Sequence, residues 1–147
     1  MKTMALKILV LSTTNSTLGP MAQGFLDYYS SKKTQVLSAG IESQPIHQMT
    51  LKVMDSLGIP VEKSRRNFEA VEDIVFDYII TFSDKAHLLA KSRTKKATVF
   101  HLKMDSLDTA QGSDTDIKNA FKASRKELQA YCTEFAEQYL QKKNKKA

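Results

Sequence analysis

Cysteine is almost missing from this sequence: Cys132 stands alone among 147 residues, and the three histidines, His47, His87 and His101, are scattered. A single thiol excludes a disulfide framework and any thiol-pair redox chemistry within the chain, and so sparse a set of ligands cannot close a zinc site. Long apolar runs are missing too. The longest near the start is Ile8-Leu9-Val10-Leu11, far short of a membrane span or a signal-peptide core, so no membrane association and a cytoplasmic location are the expectations. With only five glycines and three prolines, collagen and low-complexity chains are excluded.

What is present, 41% hydrophobic and 26% charged residues, suits one globular domain with a sizeable core, placed at 1–141, followed by a basic tail at 142–147. The formal charge of +6 raises the question of a nucleic-acid partner. Its distribution argues against one. Much of the excess sits in the tail lysines and in Lys91, Arg93, Lys95 and Lys96 of a loop, where charge more commonly serves solvation.

Apolar periodicity alternates between two kinds. Residues 6–11 read as a strand buried on both faces. After a polar loop, Pro20 stands where a first helical residue would, and Met21, Ala22, Phe25, Leu26 and Tyr29 form one helical face. A strand at 35–39 ends at Gly40, and Ile46, Met49, Val53, Met54 and Leu57 trace a helix stopped by Gly58 and Pro60. A strand at 78–82 leads into a helix at 85–91 capped by Ser83-Asp84, a fourth strand covers 97–102, and apolar positions from Ile117 to Tyr139 trace a long last helix. The alternation predicts a doubly wound α/β fold of three layers, with about four parallel strands and helices on both faces.

Ligands of such sheets bind beyond the carboxyl ends of the strands, which singles out residues 12–19 and 83–87. Backbone N–H groups and a helix dipole can make the first loop an anion site, with hydroxyls from Ser12, Thr13, Thr14, Ser16 and Thr17. A plain polar turn is the other reading. Asp84 is a helix cap or part of a site wall. Cys132 lies near Leu128 and Phe135 as a buried small hydrophobe, His47 and His87 have surface or structural roles, and Tyr28-Tyr29 serve packing.

The whole chain resembles the low-molecular-weight protein tyrosine phosphatases, a family that shares its fold with the thioredoxin-coupled arsenate reductases. The blocks that carry the likeness run from Ile8-Leu9-Val10-Leu11-Ser12 through Asn15-Ser16 to Pro20-Met21-Ala22, then Ser38-Ala39-Gly40-Ile41, Leu57-Gly58-Ile59, and Asp77-Tyr78-Ile79-Ile80-Thr81-Phe82-Ser83-Asp84. His101, Gly112-Ser113 and the closing helix with Arg125 and Glu127 complete them. The resemblance implies a phosphate loop in which a cysteine thiolate attacks phosphorus and an arginine, separated from it by five residues, binds two equatorial oxygens. On this alignment Ser12 occupies the cysteine position and Leu18 the arginine position.

An unassisted serine hydroxyl is not ionised near neutral pH, and leucine cannot supply a bidentate clamp. The family's Asp-Pro general acid falls on Ser106-Leu107, and a slip of one residue would put Asp105 in that role, with Asp108 as a near neighbour. The further cysteines of arsenate reduction fall on Ser83 and near Ala90. Asn15 and Ser16 are implied to brace the loop through their side chains. The expectation is therefore a catalytically inactive phosphatase-fold protein, a pseudoenzyme with degenerate positions Ser12, Leu18 and Asp105. It has no metal or cofactor, and its residual anion loop is Ser12, Thr13, Thr14, Asn15, Ser16, Thr17, Leu18 and Gly19. Phosphate, sulfate or a phosphorylated protein are its expected partners, in a regulatory or partner-binding role, with a homodimer left open. The alternative is a low-activity hydrolase working in the same cleft.

Overall fold

Successive side chains of a strand point to opposite faces, so the unbroken apolar run near the start needs cover on both sides. In β1 (Lys7–Ser12), Ile8 and Val10 enter one hydrophobic cluster and Leu9 and Leu11 another. A computed structural model describes residues 6–31 and 33–140, and the basic tail expected at 142–147 lies outside the described residues. After β1 come α1 (Leu18–Tyr29), β2 (Gln35–Gly40), α2 (Gln48–Asp55), a short 3-10 turn (Phe68–Ala70), β3 (Tyr78–Thr81), α3 (Asp84–Arg93), β4 (Thr98–His101) and α4 (Asp114–Tyr139).

The strands are parallel in the order β2-β1-β3-β4. Phe25 of α1, Met54 of α2 and Phe121 and Leu128 of α4 fill the first cluster, while Ala86 and Ala90 of α3 close the second together with Phe68. The fold is thus the expected doubly wound, three-layer α/β sheet. The order of its strands reverses between β1 and β3, which places the crevice for a ligand just beyond their carboxyl ends.

The first helix starts earlier than its apolar pattern suggests. Helix α1 begins at Leu18, so Leu18 and Gly19 belong to its first turn and not to the loop, and Pro20 is the third helical residue. Proline is tolerated there because the first N–H groups of a helix have no intrahelical partner. In α4, Ser113 and Asp116 form a reciprocal capping box that fixes the start at Asp114. The turn at Phe68–Ala70 had no periodic signal, and Leu57 ended up exposed beyond α2. Of the tyrosine pair, Tyr29 packs half-buried and accepts a hydrogen bond from Gln129 Nε2 at 2.9 Å, but Tyr28 is exposed.

Arg125 of α4 ties the helices together. Its Nη1 donates to Val53 O at 2.7 Å and to Ser56 Oγ at 3.0 Å, satisfying the C-terminal turn of α2 with a cation that also suits the helix dipole. Arg125→Ala is expected to cost about 1–2 kcal/mol. A urea titration should show a lower midpoint with an unchanged slope, and an unmoved midpoint would assign the cap no net worth.

Candidate functional site

The chain leaves β1 at Ser12, which is 8% exposed, and its Oγ accepts a hydrogen bond from Asn15 N–H at 3.0 Å. Closing so tight a loop takes a left-handed residue, and Asn15 supplies it with φ 55°. Glycine is required on both sides of the turn. A Cβ at Gly19 would meet Asn15 Oδ1 at 2.6 Å and Ser12 Oγ at 2.8 Å, and one at Gly40 would meet the Thr14 backbone at 3.0 Å.

The loop is braced from behind by residues 41–50. Ser12 O and Thr13 O accept from Ile41 N–H, Thr14 O from Gln44 N–H, and Ser16 O from His47 N–H and Thr50 Oγ1. Ser16 braces as the resemblance implied, with its Oγ donating to Pro45 O at 2.8 Å. Asn15 does not. Its main chain makes the bond to Ser12, and its amide Oδ1 and Nδ2 are buried without a hydrogen-bond partner among the described residues.

In front of the loop lies a cleft of about 50 Å³ that opens to solvent. Hydroxyls of Ser12, Thr13, Thr14 and Thr17 line one side and those of Ser83 and Ser106 the other, with Leu18, Phe82 and Met104 as apolar wall. Thr13 Oγ1 and Ser83 Oγ lie 3.0 Å apart and link the ends of β1 and β3 across the crevice. The one charged lining residue among the described residues is Asp108. Thr14 Oγ1 donates to its Oδ2 at 2.8 Å and Thr17 Oγ1 to its Oδ1 at 3.1 Å.

Both Asp105 and Asp108 are exposed, but it is Asp108, and not the expected Asp105, that lines the cleft. The physical reason is Leu107, buried in the core cluster, which pins the segment after β4 so that Ser106 and Asp108, on either side of it, turn to the loop. An isolated apolar residue in the polar run 105–116 was the signal that could have found this.

Ser83, not Asp84, caps α3: its Oγ accepts from Ala86 N–H at 3.2 Å. Asp84 instead accepts from Lys103 Nζ at 3.1 Å and lies 3.3 Å from His101 Nε2, and the Lys103 hydrogen bond, then the His101 one, hold its carboxyl below the usual range. His101 Nδ1 reaches Thr81 Oγ1 at 2.7 Å, and its ring lies 4.6 Å from that of His87. Asp84, His101 and Thr81 make a carboxylate–imidazole–hydroxyl chain, but with the two ring nitrogens used the opposite way round from a hydrolase triad. Thr81 is 0% exposed, so the hydroxyl that would attack meets no substrate.

His47 caps α2 through Nδ1, which accepts from Met49 N–H at 3.0 Å. Cys132 is buried in the helical face of the core, where burial pushes its thiol pKa up and keeps it protonated. Among the described residues no group of three or more His, Cys, Asp or Glu side chains could hold a metal ion, and no helix is long and apolar enough to cross a membrane.

Comparison with known proteins adds to this geometry. The family model described as low molecular weight phosphotyrosine protein phosphatase matches residues 7–146. An arsenate reductase of Shouchella clausii is 28% identical over 135 residues, covering 88% of this chain and 94% of that protein. Among solved structures, an arsenate reductase from Archaeoglobus fulgidus superposes with a TM-score of 0.74 at 14% identity, covering 88% of this chain and 98% of the other. The arginine phosphatase YwlE, in a cysteine-to-serine mutant with a phosphorylated active-site serine, gives 0.68 at 20% identity, with 90% and 95% covered.

Proposed function

We propose, from the premise that the chain belongs to the low molecular weight phosphotyrosine protein phosphatase family, that its cleft binds an oxyanion without turning it over and that the protein serves as a partner-binding or regulatory relative of the family's enzymes. One observation carries the reading: the cleft lining holds hydroxyls, apolar side chains and a carboxylate, but among the described residues no thiol, imidazole or cation. Phosphoryl transfer from an aryl ester asks for an ionised nucleophile and for positive charge on the equatorial oxygens. Ser12 Oγ offers neither an ionised atom nor a neighbouring base, and Leu18 replaces the clamp with a side chain 6% exposed against the core.

In the YwlE mutant the active-site serine carries a phosphoryl group. A serine alkoxide is a poor leaving group, so a phosphoryl caught on Ser12 would stay there, which speaks against turnover. Asp108 is the feature that would serve a hydrolase, as its acid. Its two oxygens are both engaged within the chain, one by Thr14 and one by Thr17.

The test is a continuous assay of the full chain with an aryl phosphate. Hydrolysis no faster than buffer alone is the expected result. Enzyme-like turnover, on the order of one per second, would overturn the non-catalytic reading.

A further inference from the structure

We infer that Asp108 is an autoinhibitory occupant of the cleft, a carboxylate of the chain itself that an incoming oxyanion must displace from the Thr14 and Thr17 hydroxyls. This rests on the reading of the cleft as an oxyanion site. Two of the loop's hydroxyls, those of Thr14 and Thr17, are already engaged by an anion, one on each carboxylate oxygen, at 2.8 and 3.1 Å. Hydrogen bonds to a charged acceptor are the strong kind, and a second anion in the cleft would face Asp108 with no cation among the described lining residues between them. An oxyanion and the Asp108 carboxylate therefore exclude each other.

The segment that carries Asp108 is anchored at Leu107 and exposed on either side of it. Met104 N–H reaches Phe82 O only at a long 3.4 Å, Gly112 with φ 116° precedes the α4 cap, and Leu107 is the buried anchor between them. Two further hydrogen bonds stay within the segment, Asp108 N–H to Ser106 Oγ and Ala110 N–H to Leu107 O. Release of the carboxylate from two hydroxyls lets Asp108 and the exposed residues beside it shift about the Leu107 anchor without breaking any strand pairing. Occupancy of the cleft is thereby coupled to the position of this strap on the surface, which gives a binding protein a readout.

The experiment is an amide NMR titration of the full chain with inorganic phosphate, run on the unmodified protein, on Asp108→Asn, which keeps the shape but removes the charge, and on Asp108→Ala. The expected result is saturable shifts at 12–19 and 105–111 together in the unmodified protein. Asp108→Ala should bind about tenfold tighter or more, the reach of one charge-assisted hydrogen bond, with Asp108→Asn also tighter. Equal affinities in all three proteins, with shifts confined to 12–19, would overturn the autoinhibitory contact and leave the oxyanion cleft standing. Shifts nowhere but in the basic tail, in all three proteins, would overturn both.

Discussion

Putting cysteine at Ser12 and arginine at Leu18 together is expected to create aryl-phosphatase activity, at least about a thousandfold above the unmodified protein, while each single change stays near background. The frame for the nucleophile is already present. Asn15 N–H donates to the atom at position 12 from 3.0 Å, and the N-terminus of α1 lies just beyond, so a thiolate there would be stabilised by a hydrogen bond and a dipole. Leu18 lines the cleft, so an arginine from the same position has its fork within reach of two phosphoryl oxygens. The two groups act as a unit, one attacking and one neutralising, which is why the single variants gain little.

The exchange has a cost. Leu18 is nearly buried, and giving up its apolar contacts destabilises the fold by about 1.5–3 kcal/mol, so the assay belongs well below the unfolding midpoint. The new arginine also faces Asp108 and competes with Thr14 and Thr17 for it, which frees the loop for substrate. A folded double variant that binds phosphate but shows no turnover would mean that the loop has lost the geometry for in-line attack.

How far the sequence foretold this site depends on the reach of each contact. The run Ile8-Leu9-Val10-Leu11 and the stripe of Phe25 and Leu26 are local patterns, and they placed β1, α1 and the loop between them. The ends of the helices were less legible, because Thr17-Leu18-Gly19 has no side-chain cap to mark a start and the first turn tolerates Pro20. Least legible were the contacts that define the cleft. Thr14 meets Asp108 across 94 residues and Thr13 meets Ser83 across 70, and no periodicity links such pairs. Spacing from a family pattern pointed to Asp105, but the burial of Leu107 decided the register and set the exposed Asp108 against Thr14 and Thr17. The buried amide of Asn15, without a partner among the described residues, was hidden for a similar reason: its surroundings come from Ser12, Gly19 and Gly40, which the sheet brings together.

Phe121→Ala is expected to cost about 3–5 kcal/mol, a large share of the roughly 5–15 kcal/mol that holds a domain of this kind together. Phe121 is 0% exposed, and its ring lies 4.9 Å from that of His47, so it seats α4 against the start of α2. Truncation removes a large apolar body from the interior and leaves a cavity that helices held by Arg125 and the Ser113 box close only in part. The loss also travels toward the cleft. His47 caps α2 and donates its own N–H to Ser16 O at 3.1 Å, and Thr50 of α2 bonds the same carbonyl at 3.0 Å. A looser α2 should therefore raise hydrogen exchange at residues 13–17 before it does so at β1. Phe121→Leu, which keeps most of the volume, should cost less than about 1.5 kcal/mol and leave loop exchange unchanged. Chemical denaturation of both variants measures the first effect and amide exchange the second. A Phe121→Ala protein that is much less stable but keeps its loop protection would show that the brace on Ser16 does not depend on α4.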